Sequence, residues 1–174
     1  MKSYNISPEK RAQMMALLAM AWDGQWFLKV CDAHGWEEAT RLNAQVRASF
    51  GRIEMRRILR ALGKRRADDL GDAARILYTY FQEVLAAGFD ADFVMAETRL
   101  EITVTRCAAL WGAKRAGFER HEQACIACRG LWHAYFEILL PDRPVKAEMR
   151  EQMGCGAGRC KIVIEKGRVY DDQR

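Results

Sequence analysis

The sequence predicts an α+β fold in which a helical N-terminal half precedes an antiparallel sheet covered by helices, with a cysteine-rich metal site. Apolar residues recur at helical spacing through residues 1–88, whereas from residue 89 they alternate with polar ones, as in half-buried strands. Two close cysteine pairs follow in the last third of the chain. We expect a helical region (1–88) and an α+β cysteine-rich region (89–174) that together form one compact domain.

Four helices are predicted in the N-terminal half. Ser7-Pro8-Glu9 combines a capping hydroxyl, a proline at the first helical position and an acid, which indicates a helix start. Gly35 suits the C-terminal cap of this helix, because glycine tolerates the left-handed backbone. Further helices are expected over 36–50, 53–62 and 69–87.

Strands and shorter helices are predicted in the C-terminal half. Leu100, Ile102 and Val104 alternate with polar residues, and this alternation indicates a strand buried on one face. Phe93 and Met95 alternate in the same way just before it. We also expect helices over 107–117 and 125–140, strands over 145–153 and 161–165, a glycine-rich turn over 154–160 and a polar tail over 168–174.

The composition is that of an ordinary folded protein, with half of its residues hydrophobic and 29% charged. No apolar run approaches the roughly 18 residues of a spanning helix, and the N-terminus lacks a signal-peptide pattern. We therefore expect a cytoplasmic protein that has no membrane partner. Although the net charge is +5, the basic residues over 56–66 fit helix ends, so we do not expect a nucleic-acid partner.

Four cysteines carry the predicted metal site. Cys125-x-x-Cys128 and Cys155-x4-Cys160 each come from one turn, and a fold that joins the two turns offers four thiolates to one tetrahedral ion. Structural zinc is the predicted cofactor, and the helix dipole at Cys125 is expected to favour the thiolate form. The same four thiolates suit an iron–sulfur cluster, which is the alternative cofactor. Alternatively, any of these cysteines could bind no metal and pack in the core as a small hydrophobic residue.

Other residues are weaker candidates for the site. Cys107, His121, His133 and Glu151 could each replace one thiolate ligand, and Cys107 is also the candidate catalytic thiol. A pocket for a small molecule is expected between the first helix and the sheet. Its candidate residues are Trp22, Asp23 and Trp26.

The chain resembles an uncharacterised family of bacterial and archaeal cytosolic proteins. The resemblance rests on Trp22-Asp23-Gly24-x-Trp26-Phe27, Arg56-Arg57, Leu62-Gly63, Cys107, Cys125, Cys128, Cys155 and Cys160-Lys161-Ile162. L-2-amino-thiazoline-4-carboxylate hydrolase-like proteins and 4-vinyl reductase-type ligand-sensing domains share the C-terminal pattern.

This resemblance implies an α+β fold, often dimeric, so a homodimer is expected. It also implies zinc held by Cys155 and Cys160, with Cys107 or Glu151 completing the set, beside a small-molecule pocket. The pair Cys125-x-x-Cys128 departs from the pattern of those sensors.

The leading interpretation is a protein that binds or senses a small molecule and is held together by structural zinc. One alternative is a hydrolase of a small cyclic amidine or amide, with Cys107 as nucleophile or with a metal ion that activates water. Another is an iron–sulfur redox protein. Apart from the candidate Cys107, no residue is assigned a catalytic role, so the sequence leaves open whether the protein is an enzyme.

Overall fold

The computed structural model describes residues 4–167, apart from the side chains of residues 123 and 124. It has the predicted α+β architecture, with helices in the first half and a four-stranded antiparallel sheet in the second. The predicted tail over 168–174 lies outside the described residues. The elements are α1 (Pro8–His34), α2 (Trp36–Ala61), α3 (Leu70–Glu83), β1 (Phe89–Met95), β2 (Arg99–Cys107), α4 (Ala108–Arg115), α5 (His121–Ala124), α6 (Ile126–Leu139), β3 (Val145–Glu151), a 3-10 turn (Met153–Cys155) and β4 (Cys160–Lys166).

Helix α1 begins and ends where the sequence predicts. The Ser7 hydroxyl accepts a hydrogen bond from the Lys10 backbone N–H at 3.3 Å, and Gly35 has a positive φ of 81°. The C-terminal end of α1 is fixed by an edge-to-face cluster of three rings, from Phe27, Trp36 and Phe118. None of the described residues of α1 is fully buried, so this helix lies on the outside of the molecule.

The predicted break between residues 50 and 53 is wrong, because α2 is one continuous helix. Gly51 lies inside α2, where its missing side chain allows α6 to approach closely. A Cβ at Gly51 would stand 2.6 Å from Cδ1 of Leu131 and 3.1 Å from Cε1 of Tyr135. Glycine costs about 1 kcal/mol inside a helix, and here the close contact between α2 and α6 offsets that cost.

Other element boundaries differ from the predictions by a few residues. Helix α3 ends at Glu83 rather than near 87, because the chain turns there through hydrogen bonds from the Leu85 and Phe89 N–H groups. The predicted helix over 125–140 is preceded by the separate short helix α5. Strand β3 ends at Glu151, two residues early, where the 3-10 turn begins to form.

The sheet has the strand order β1-β2-β4-β3, and all three neighbouring pairs are antiparallel. In the β2–β4 ladder Leu100 pairs with Ile164 and Ile102 pairs with Ile162, and all four side chains are buried. Helix α3 packs on β1 and β2, whereas α6 packs on β3. The core therefore lies between the sheet and these two helices.

The carboxylate of Glu54 joins three helices. From α2 it accepts a hydrogen bond from the Tyr80 hydroxyl of α3 at 2.5 Å and another from the Tyr135 hydroxyl of α6 at 2.8 Å. Burial, reinforced by the negative charge of Glu54, raises the pKa of both phenols above the ordinary value. Hydrogen bonds to a charged acceptor are stronger than neutral ones, so this contact fixes how α2, α3 and α6 pack.

No helix among residues 4–167 combines the length and the apolar character that crossing a membrane requires.

We predict that Glu54→Gln lowers the free energy of unfolding by about 1–3 kcal/mol, because the amide removes the charge that two buried hydroxyls depend on. Chemical denaturation monitored by circular dichroism measures this change. The matched control is Glu137→Gln, which removes the exposed ion pair with Arg52 and should change stability by less than about 1 kcal/mol. Equal effects of the two substitutions would contradict the assignment.

We also predict that Tyr80 and Tyr135 keep their protons above pH 10 while the protein is folded. Because the unfolded chain loses these protons near pH 10, the stability that they contribute is fully present below pH 10. It is lost as the pH rises toward their raised folded pKa values. Tyrosinate absorbance near 295 nm should therefore show two of the five tyrosines titrating only as the protein unfolds. Titration of all five near pH 10 in folded protein would contradict this prediction.

Candidate functional site

Five of the six cysteines gather where the end of β2, the start of α6 and the start of β4 meet. Cys107, Cys155 and Cys160 lie close enough to Cys125 that a thiolate charge on any of them would raise the pKa of the Cys125 thiol. Cys128 is influenced in the same way by Cys107, Cys125 and Cys160. The structure therefore brings both predicted pairs and Cys107 into one group, which we call the thiol cluster. The sixth cysteine, Cys31, lies apart on α1.

The 3-10 turn reaches the thiol cluster because Gly154 has no side chain. A Cβ at Gly154 would collide with the sulfur of Cys125 and would stand 2.6 Å from the carbonyl oxygen of His121. Cys125 immediately precedes the first residue of α6, and Cys128 lies in its first turn. The β2–β4 ladder pairs Val104 with Cys160, which places Cys160 beside the end of β2.

Two backbone N–H groups of the 3-10 turn donate to cysteine sulfurs. The Met153 N–H donates to Sγ of Cys160 at 3.3 Å, and the Gly154 N–H donates to Sγ of Cys125. Such bonds stabilise the thiolate form of each sulfur. Sequence reasoning missed these donors, although the glycine beside Cys155 was the signal that could have indicated a close turn.

Burial nevertheless keeps these thiols protonated at neutral pH. It is the largest cause that raises the pKa of Cys125 to about 11 and that of Cys128 to about 12, and it also raises the pKa of Cys160. The expectation that the helix dipole favours the thiolate at Cys125 is therefore wrong, because desolvation outweighs it.

Cys155 and Glu151 have neighbours of their own near the cluster. The Cys155 side chain is exposed, and its thiol donates to Oε1 of Gln152 at 3.3 Å. The Glu151 carboxylate accepts a hydrogen bond from Nε of Arg159 at 3.1 Å. A role for Glu151 as a metal ligand would require this ion pair to open.

The backbone of His121 lies next to the 3-10 turn that contacts the thiol cluster. The Nε2 atom of His121 is buried and has no hydrogen-bond partner within the described part of the chain, while its backbone carbonyl lies against Gly154. As the side chains stand in residues 4–167, no group of three or more His, Cys, Asp or Glu residues is arranged to hold a metal ion. Metal binding by the predicted ligands therefore stays a prediction.

The three predicted pocket residues lie on α1. Asp23 forms an ion pair with Arg47 of α2, whereas Trp22 is 77% exposed and Trp26 is 36% exposed. Helix α1 packs against α2 and α4, while the helices that pack on the sheet are α3 and α6. A pocket formed by these three residues stays a prediction.

A cavity of about 230 Å³ lies between α6 and β3, and sequence reasoning did not predict it. Only His133 among its residues was singled out from the sequence, and it lies here rather than in the thiol cluster. The buried side chain of Trp132 and the half-buried side chain of Met149 supply apolar walls. The cavity is lined by Arg129, Trp132, His133, Ala147, Glu148 and Met149.

The fold is similar to that of two solved structures with known ligands. One is the phenol-responsive sensory domain of the transcription activator PoxR with phenol: the identity is 15% and the TM-score 0.57, over 88% of this chain and 77% of that one. The other is a trafficking protein particle complex subunit 3 from Naegleria fowleri covalently bound to palmitic acid: the identity is 10% and the TM-score 0.56, over 91% and 96% of the two chains.

No protein-family model matches the sequence, and no curated protein matches it. The families that the sequence resembles therefore stay a prediction, although a ligand-sensing domain does stand among the structural neighbours. At 10–15% identity the likeness extends to the fold alone. The chain has the α+β fold of the phenol-responsive sensory domain and of the trafficking complex subunit.

Proposed function

We propose that this protein binds or senses a small molecule, and that a zinc ion held by the thiol cluster stabilises its C-terminal half. The observation that carries the proposal is the fold, which is similar over 88% of the chain to a sensory domain that binds phenol. The other neighbour holds palmitic acid, so two proteins of this fold bind an organic molecule. A shared fold does not specify a ligand, so the class of ligand needs separate evidence.

The surroundings of the thiol cluster support the metal part of the proposal. Several thiols come close enough for their charges to interact, and two of them accept backbone N–H groups. His121, whose backbone lies against Gly154, has a buried Nε2 atom without a hydrogen-bond partner among residues 4–167. Sulfur and imidazole nitrogen are the donors that zinc prefers. The expected ligands are Cys125, Cys128 and Cys160, with Cys107, Cys155 or His121 completing the set.

A closed set of four such ligands leaves no open coordination position, so the ion would contribute folding energy rather than chemistry. It would connect the end of β2, the start of α6 and the start of β4. Because burial raises the pKa of the Cys125 and Cys128 thiols, zinc binding by these two residues would release protons at neutral pH.

The hydrolase alternative lacks a supporting contact. Within the described residues the Cys107 thiol has no hydrogen-bond partner, so no general base is placed to activate it as a nucleophile. The iron–sulfur alternative uses the same thiols as zinc, and metal analysis distinguishes the two.

We predict about one zinc ion per chain in protein purified anaerobically, and its loss in Cys125→Ala and Cys160→Ala. Loss of the ion should lower the melting temperature by at least about 4–8 °C, which corresponds to about 2 kcal/mol in a chain of this size. Elemental mass spectrometry and calorimetry measure the two quantities. Cys31→Ala is the matched control, because Cys31 lies on α1 away from the cluster.

A second variant keeps every ligand side chain. Gly154→Ala pushes a methyl group against the sulfur of Cys125 and should weaken metal binding although all the thiols remain.

Iron with a broad absorbance near 400 nm would favour the redox alternative. Folded protein without any metal would overturn the zinc proposal and would leave the ligand-binding proposal to its own test.

We also propose that two copies of the chain associate through α1. The outer face of this helix exposes Met14, Met15, Leu17, Leu18 and Trp22, each with 43–77% of its surface accessible. Met15, Leu18 and Trp22 follow the three- and four-residue spacing of a helix–helix seam. The five side chains present on the order of 600 Å², so two copies would bury on the order of 1,200 Å² in total, the lower end for specific interfaces.

We predict that the wild-type protein elutes at twice its chain mass of 20.0 kDa and that Leu18→Glu shifts it to the monomer. Size-exclusion chromatography with light scattering measures both masses. Gln13→Glu adds the same charge to α1 away from the seam and should leave the dimer intact. A wild-type monomer at all accessible concentrations would contradict the proposal.

A further inference from the structure

The cavity between α6 and β3 has the size of a site for one substituted ring. Its volume is about 230 Å³, compared with roughly 150 Å³ for an enclosed cavity that binds benzene, and it opens to solvent beside the exposed side chains of Arg129, His133 and Glu148. Two regular elements form its walls, with Trp132 and His133 on α6 and Ala147 and Met149 on β3. Sites on helices and strands hold their shape better than sites on loops.

The apolar part of the cavity is held firmly in place. Trp132 is only 5% exposed, and its ring stacks on Phe81 with 6.1 Å between centroids and 7° between planes. On the opposite wall, the Met149 sulfur accepts a hydrogen bond from Nε2 of Gln152 at 3.5 Å. An aromatic face and a thioether are both favourable neighbours for a flat ring.

The polar part of the cavity carries two unpaired nitrogen groups. Arg129 and His133 are one helical turn apart on α6, and neither has a hydrogen-bond or ion-pair partner within residues 4–167. The acid at the cavity, Glu148, pairs with Arg150 at 3.5 Å. A guanidinium fork and an imidazole that face the same space favour a carboxylate, which the fork binds through two parallel hydrogen bonds.

We propose that this cavity binds a small monocyclic aromatic acid, with its ring between Trp132 and Met149 and its carboxylate on Arg129 and His133. The proposal rests on the proposed function, since it specifies the site and the class of the small molecule. It differs from the chemistry of the phenol-bound neighbour, because the guanidinium charge of Arg129, with the His133 imidazole beside it, favours a charged acid over a neutral phenol.

Isothermal titration calorimetry of the folded 174-residue chain, as purified, tests this proposal, with benzoate, phenol and benzyl alcohol as probes. We expect benzoate to bind at least tenfold more tightly than either neutral compound. Arg129→Gln should remove that preference by weakening benzoate at least tenfold. The matched control is Arg56→Gln on the exposed side of α2, which should leave all three affinities unchanged.

Methyl resonances of methionine identify the site independently of affinity. With ¹³C-methyl labelling, benzoate should shift the Met149 signal, assigned through Met149→Leu, and should leave the exposed Met15 of α1 unmoved.

Benzoate binding that survives Arg129→Gln and leaves Met149 unmoved would overturn the proposed site. Tight binding of phenol without benzoate would overturn the ligand class and keep the proposed function. Failure of all three probes on folded protein would overturn this inference, and a wider ligand screen would then decide the proposed function separately.

Discussion

The carboxylate of Glu54 is the polar contact on which the packing of this protein depends. It lies one turn after Gly51 on α2, where α6 comes close enough for Tyr135 to reach it. The same carboxylate holds Tyr80, so the two helices that cover the sheet, α3 and α6, are fixed to α2 at one point. The Glu54 side chain is half-buried, and each of its two oxygens accepts a hydrogen bond from a buried phenol.

The contact between α2 and α6 near Gly51 also connects the helices to the thiol cluster and to the cavity. The positive charge of Arg47, one helix turn before Gly51 and paired with Asp23 of α1, acts on Tyr80, on Tyr135 and on Cys128. Helix α6 then carries Cys128 toward the cluster and Trp132 toward the cavity, four residues apart. A change in the position of α6 would therefore alter both places together.

Local patterns explain which parts of this fold could be predicted from the sequence. The capped start at Ser7, the glycine end at Gly35 and the alternation around Ile102 each depend on neighbouring residues, and the structure confirms all three. Gly51 misled the prediction because its role depends on α6, more than 70 residues away along the chain.

For the candidate site, too, the local sequence pattern was predictable and the long-range contacts were not. The spacing of the cysteines indicated a group, whereas the N–H donors of the 3-10 turn and the walls of the cavity come from contacts between distant segments. Such contacts have no signature in one sequence. The order β1-β2-β4-β3 was inaccessible for the same reason, since any pairing of these strands satisfies their alternation.

That strand order has a consequence for how the chain folds. Strand β4 is the last strand within residues 4–167, yet it lies inside the sheet between β2 and β3. Until it is inserted, β2 and β3 each present an unpaired edge, which is the kind of surface that promotes aggregation. The central ladder therefore forms through contacts of long sequence separation, which are slow to establish. Folding during synthesis would leave these two edges unpaired until β4 has left the ribosome.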